Sequence, residues 1–279
     1  MAVSAPAQNL FVTDYTAGKV TEITPGGTPS TFGSSGVNDA DGLAFNSAGD
    51  LFVADGGVGT IYEYTPGGTR STFVSGIDNP EALLTGLAFD SSGNLYVTDQ
   101  GSDDIYKITP GKTVSTFATD LSNPGGMAFN SAGDLFVANQ VGGTIEEYTP
   151  GGTPSTFATG LDTPVDIAFN NAGDLFVSDN GSGNIYEYIP GEGRITYAAD
   201  LDGPTALAFN STGDLFVVED PTASIVEITA AGVVPFATNL NSPMFIAFQP
   251  VPEPSAWALM TAGAAVLVVW RGRQQPIKN

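Results

Sequence analysis

The residues of this 279-residue chain best equipped for chemistry are its carboxylates. There are 30 Asp+Glu against 8 Lys+Arg, a formal net charge of −22, and neither histidine nor cysteine. Without histidine there is no Ser-His-Asp triad, no imidazole base and no imidazole zinc site. Without cysteine there is no disulfide, no thiolate nucleophile and no thiolate metal site. Any metal must be held by oxygen, which points to calcium or magnesium. A field this negative repels phosphate backbones, so nucleic acid is excluded as a partner. The acids and amides fall into two classes. One recurs regularly, at Asp14, Asp55, Asp99, Asn139, Asp179 and Glu219; the other is irregular, at Asp41, Glu81 and Asp166.

The elements that position them are copies of one stretch. GLAFNSAGDLFVAD (Gly42–Asp55) returns at Gly86–Asp99, Gly126–Asn139, Asp166–Asp179 and Ala206–Glu219, with half copies at Asn9–Asp14 and Phe245–Phe248. The apolar run of its second strand begins at Leu10, Leu51, Leu95, Leu135, Leu175 and Leu215, at intervals of 41, 44, 40, 40 and 40. Such a period marks a repeat architecture. Each unit holds four short strands, a to d, rich in β-branched and aromatic residues and bounded by turn residues. In the unit that begins at Gly42 they are Gly42–Asn46, Asp50–Asp55, Thr60–Thr65 and Arg70–Val74. Asn46–Asp50 suits a type I turn followed by a left-handed glycine. Pro66-Gly67 and its equivalents have the composition of a type II turn.

The chain starts with a strand b and ends with a strand a. Pairing those ends gives an all-β fold: a six-bladed β-propeller over residues 9–249, its blades four-stranded and one blade shared by both termini. Alternation sets Leu43 and Phe45 on one face and Ala44 on the other, large against small for packing blade on blade.

Within this frame the regular acids serve the blade, bonding to backbone amides of the turn that follows. Departures from the repeat are the better site candidates. Just before strand a, on the face where b–c and d–a loops meet, only Asp41 and Asp166 bring carboxylates, and Glu81 lies in an enlarged loop at the same mouth. Val165, Gly125 and Met244 at matching positions offer no side-chain oxygen. Asn38-Asp39-Ala40-Asp41-Gly42 fails the EF-hand pattern at its first and last positions. The strand c tyrosines Tyr62, Tyr64, Tyr148, Tyr186 and Tyr188 pack the blades; sugar stacking is the other reading of them.

The repeat G-(L/I/M)-A-F-x-x-x-G-x-L-(F/Y)-V-x-(D/N) resembles NHL-type repeats and senescence-marker/gluconolactonase-like propellers over about Gln8–Phe248. The resemblance implies the six-bladed fold. It leaves activity open, because these propellers include lactonases, esterases, lyases and binding modules. Lactonase-like relatives hold a divalent cation near the channel mouth, which makes Asp41, Glu81 and Asp166 the candidate metal residues, with calcium the ion.

After Gln249 the composition changes. Val251-Pro252-Glu253-Pro254 is followed by the apolar run Ala256–Trp270, broken by Thr261 and Gly263, then Arg271 and Arg273. The run is shorter than the roughly twenty residues of a spanning helix, yet apolar with cations on one side. A C-terminal hydrophobic helix at 256–270 is expected. Residues 250–279 resemble a PEP-CTERM protein-sorting segment. That implies a Gram-negative-type bacterial protein, an exosortase-type partner, transient membrane anchoring and delivery to the cell surface or exopolysaccharide matrix. Residues 1–8 form a leader without a charged or apolar signal region. Ala5-Pro6-Ala7 has a cleavage-site form, so the leader reads either as a signal-peptide remnant or as a short disordered segment. The reading is an exported propeller that binds a glycan or surface-protein ligand, without enzymatic activity and with no cofactor beyond a calcium ion. The alternative is a calcium-dependent hydrolase or lactonase, and a third reading is a scaffold with no small ligand.

Overall fold

The computed structural model describes residues 8–77 and 82–251. Residues 1–7, Glu81, and the tail positions Pro252, Glu253, Pro254, Arg271 and Arg273 lie outside the described residues, as does the hydrophobic segment 256–270. The chain divides at Gln249 into the repeat unit and the tail.

Among the described residues the strands form six four-stranded antiparallel sheets. Blade 1 joins the chain ends: β24 (Pro243–Phe248), β1 (Leu10–Asp14), β2 (Lys19–Ile23) and β3 (Pro29–Phe32). Blade 2 is β4 (Ala40–Phe45), β5 (Leu51–Asp55), β6 (Thr60–Tyr64) and β7 (Arg70–Ser75). Blade 3 is β8 (Leu84–Phe89), β9 (Leu95–Asp99), β10 (Asp104–Ile108) and β11 (Val114–Ala118). Blade 4 is β12 (Pro124–Phe129), β13 (Leu135–Asn139), β14 (Thr144–Tyr148) and β15 (Pro154–Thr159). Blade 5 is β16 (Pro164–Phe169), β17 (Leu175–Asp179), β18 (Asn184–Ile189) and β19 (Gly193–Ala198). Blade 6 is β20 (Pro204–Phe209), β21 (Leu215–Glu219), β22 (Ser224–Thr229) and β23 (Gly232–Ala237).

The expected closure holds. Leu10 pairs with Phe248, Phe11 with Ala247 and Val12 with Ile246. The innermost strands β24, β4, β8, β12, β16 and β20 each touch the next, and β20 returns to β24. In blades 1 to 5 the second strand is buried along its whole length, because it packs against both neighbouring blades; the outermost strands are largely exposed.

The blades are joined by aromatic triads. At the boundary of blades 1 and 2, Phe11 meets Phe32 edge-on at 4.9 Å and Phe45 of the next blade at 5.1 Å. The same set recurs as Phe73–Phe52–Phe89, Phe117–Tyr96–Phe129, Phe157–Phe136–Phe169, Tyr197–Phe176–Phe209 and Phe236–Phe216–Phe248. Edge-to-face pairs add about 0.5–1.5 kcal/mol each beyond burial. Strand c tyrosines lengthen three of these sets, Tyr64 against Phe32, Tyr148 against Phe117 and Tyr188 against Phe157.

Each innermost strand carries a bulge near its start. In alternate blades a hydroxyl fills it. Phe245, Gly86 and Asp166 donate their amides to Thr13, Thr98 and Ser178, and the latter two pass hydrogen bonds on to carbonyls of the next blade, Gly125 and Thr205. The matching positions Ala54, Ala138 and Val218 are buried and apolar.

The a–b turn is as expected: Gly49 is left-handed (φ 86°) and donates to the Asn46 carbonyl, while Asn46 Oδ1 accepts from Ala48 and Asp50. The c–d turn differs from the type II expectation. At Thr65–Thr69 the left-handed residue is Gly68 (φ 78°), one position later, and the Thr65 hydroxyl accepts from Thr69. A type I corner followed by a left-handed residue matches strand twist in a hairpin, and it prevails there. In blade 5, Ile189 and Gly193 replace the two threonines, and Gly191 (φ 82°), at the type II position, is left-handed, with Gly193 (φ 93°) also at positive φ.

Candidate functional site

The regular acids clamp loops. Asp55 accepts from the amides of Asn38 and Asp39, Asp99 from Leu83, Asn139 from Ser122, Asp179 from Asp162 and Glu219 from Asp202. Their common partner is therefore the d–a loop preceding the innermost strand. The following turn, which the sequence pointed to, is held in addition in blades 1, 3 and 5 through Ala17, Gly101 and Ser182.

The irregular acids Asp41 and Asp166 stand on the innermost strands β4 and β16, three blades apart and so opposite one another. Glu81 lies outside the described residues. Among the described residues no group of three acids is poised to hold a metal ion.

Both carboxyls are buried, 4% and 7% exposed, and both are pushed up to about 7. Burial is the main cause in each case, because it removes the water that stabilises the charged form. Their partners differ. Asp166 accepts from its neighbour Ile167 at 2.9 Å and from Leu207 of blade 6 at 3.0 Å. It lies against blade 4, where a side chain at Gly126 would collide with Oδ1. Asp166 thus stitches three blades together. Asp41 Oδ1 has no hydrogen-bond partner, and its neighbour is another acid, Asp39, which adds to the upward push. Tyr15 of blade 1 stands beside this pair, its phenol raised by burial and then by Asp39 and Asp41. Asp39 is seated over Gly57, where a Cβ would come within 2.3 Å of Oδ2. The geometry gives Tyr15, Asp39 and Asp41 as an acidic corner of the channel mouth. Tyr15 was hidden in sequence because it sits one blade away.

A second region has no counterpart in the acid pattern. Between blades 4 and 5 a groove of about 800 Å³ opens between the a–b turns and the blade 5 c–d turn. Phe136, Phe157, Phe169 and Tyr188 line it, and Arg194 stands at its rim. Phe157 is 40% exposed. The buried Tyr188 hydroxyl finds no acceptor for its proton; burial pushes the phenol up, and the Arg194 guanidinium beside it pulls the other way. The Arg194 guanidinium lies 4.6 Å from the Tyr186 ring centre and donates to the Gly160 carbonyl at 3.3 Å. Among the described residues it forms no ion pair; those found are Lys19–Asp14 and Lys107–Asp90. The signal in sequence was the broken c–d turn at Ile189–Gly193.

Residues 250–274 match the PEP-CTERM protein-sorting motif. No curated protein sequence matches the chain. Solved structures similar to it include a propeller from a nidogen/laminin complex, with 18% identity, TM-score 0.78, and coverage of 88% of this chain and 99% of that one. Virginiamycin B lyase from Staphylococcus aureus is 16% identical with TM-score 0.69, covering 88% and 89% of the two chains. A putative gluconolactonase is 16% identical with TM-score 0.59, covering 69% and 75%. At these identities the likeness is one of fold: a six-bladed propeller of the kind that includes NHL-type and gluconolactonase-like members. The sorting motif indicates export and sorting to the cell envelope, and it implies recognition by an exosortase-type enzyme.

Proposed function

We propose that this chain is an envelope propeller that works as a binding module at the cell surface or in the exopolysaccharide matrix, its ligand a glycan or a surface protein met on the channel-mouth face. The observation that carries this reading is the sorting motif at 250–274 directly following a closed propeller. One similar structure comes from a nidogen/laminin complex, which supports a propeller engaged with another protein. The apolar segment 256–270 anchors the chain until an exosortase-type enzyme acts at Val251, Pro252, Glu253 and Pro254, with Arg271 and Arg273 on the far side. The test has two parts. Replacing Glu253→Ala should shift the protein from the surface to the membrane fraction; unchanged fractionation counts against processing at this motif. Screening the intact propeller against the producing cell's own polysaccharide and surface proteins should find a ligand, and none at millimolar strength would overturn the reading.

A second reading is favoured by one observation, the unpartnered Oδ1 of Asp41 beside Asp39. A calcium ion held there by Asp41, with Glu81 as a further ligand, would make the site that of a hydrolase or lactonase, while Asp166 stands in the opposite blade with both oxygens bonded. Calcium titration with a melting readout distinguishes the two. A rise in Tm that Asp41→Asn abolishes favours the metal, and no shift favours the binding module.

A further inference from the structure

The boundary between blades 4 and 5 matches the boundary between blades 1 and 2 in its aromatic and arginine contacts. Each has its aromatic triad, a strand c tyrosine against it, and an arginine at the strand d position that pairs with that tyrosine: Tyr64 with Arg70, Tyr188 with Arg194. Both guanidinium groups lie 4.6 Å from a tyrosine ring, Tyr62 or Tyr186. Both donate to a loop carbonyl of the preceding blade at 3.3 Å, Ser35 or Gly160. At the first boundary the loop from Phe32 to Ala40 is one residue longer than its counterpart from Phe157 to Pro164. That longer loop brings the Ser34 carbonyl to the Tyr64 hydroxyl at 3.3 Å. Gly33 makes it possible: it is left-handed (φ 66°), and a Cβ there would come within 2.9 Å of the Tyr64 ring. The shorter loop at the other boundary leaves Tyr188 without an acceptor and Phe157 exposed.

We propose that the groove between blades 4 and 5 binds a glycine-containing peptide segment of a partner protein. A main-chain carbonyl of that segment accepts from Tyr188, small residues let its backbone approach the Tyr188 ring, and an apolar side chain covers Phe157. The chain shows the polar part of this chemistry itself, because the segment Gly33–Gly36 presents the Ser34 carbonyl to Tyr64 and a glycine to its ring at the matching boundary. A buried phenol with no acceptor is a cost that such a carbonyl removes. The groove also falls in the size range of built ligand sites. This site lies away from the channel mouth, so it stands whether or not that face binds a glycan.

The probe is the capped heptapeptide TFGSSGV, residues 31–37 of this chain, titrated into the full chain and followed by amide chemical shifts. Saturable binding is expected, with shifts confined to blades 4 and 5. Tyr188→Phe should weaken it about tenfold, the worth of one buried hydrogen bond. Replacing Ala158 and Thr159 by Gly-Ser-Ser, the run at Gly33–Ser35, should fill the groove, abolish binding and raise Tm. Should that graft not fold, Tyr188→Phe carries the test, since it removes a single oxygen. Equal affinity in wild type and Tyr188→Phe, equal binding of a scrambled peptide, or no saturable binding would each overturn the proposal. A glycan that binds the channel-mouth face and is indifferent to Tyr188→Phe would leave the proposed function intact while the peptide site fails.

Discussion

Blades 2 and 5 face each other across the ring and carry nearly the same residues, yet they settle their polar groups in opposite ways. In blade 2 the groove donors Tyr64 and Arg70 are both satisfied by loop carbonyls, while the channel carboxyl Asp41 has an oxygen with no partner. In blade 5 the channel carboxyl Asp166 is held by two backbone amides, while the groove phenol Tyr188 finds no acceptor for its proton. The difference comes from neighbours, not from the residues themselves. One extra loop residue decides the groove, and one position along the bulged innermost strand decides the channel. Buried polar groups without partners are uncommon and expensive, so the two blades carry that cost in different places.

The largest test of this comparison is the pH dependence of stability. Asp41 and Asp166 both move from an ordinary value of 3.8 to about 7 in the folded chain. Between those values the folded state holds protons that the unfolded chain has released. Their contribution is therefore most favourable below pH 4, falls between pH 4 and pH 7, and is flat above. A shift of this size amounts to about 4 kcal/mol for each group. Asp41→Thr, which installs the residue found at Thr85 and Thr205, should remove about half of that slope and stabilise the chain at pH 8. Asp166→Ala should remove the other half while leaving two buried amides unpaired, at a cost of about 1–3 kcal/mol each at low pH. Urea unfolding of both variants from pH 4 to pH 8 measures this. The same sign and size of effect for both at pH 4 would break the comparison.

A smaller contrast is expected at the aromatic ends of the two grooves. Phe32→Ala should cost about 3 kcal/mol, in line with truncation of a packed aromatic. Phe157→Ala, at the open groove, should cost about 1 kcal/mol because less apolar surface is lost from the core. Equal losses in urea unfolding would mean that the groove is not open in solution. Smallest of all, Tyr188→Phe should be neutral or slightly stabilising, whereas Tyr64→Phe should cost about 1 kcal/mol, since only Tyr64 donates its proton to a carbonyl. Melting curves of the pair check it.

Much of this was legible in sequence. Four strands per unit, the shared first blade and the Asn-led a–b turn follow from a forty-residue period and from residues with narrow backbone preferences. The aromatic positions were visible too, but not that Phe45 meets Phe11 rather than a residue of its own blade, because strand alternation gives a face and not the partner across it. The c–d turn was misread for a related reason: Pro66-Gly67 allows a type II corner, and the twist of the flanking strands selects another. Asp41 and Asp166 stood out as departures from the repeat. Nothing in their spacing told that one would be fully bonded and the other not.

The sequence by itself determined the repeating unit, the number of blades, the closure of the ring, the lack of histidine and cysteine chemistry, and the sorting motif at the C-terminus. These are local or additive properties, readable residue by residue. Only the tertiary structure decided which polar groups find partners. That depends on where the neighbouring blade places its backbone, and a shift of one residue in a loop is enough to satisfy Tyr64 and leave Tyr188 waiting.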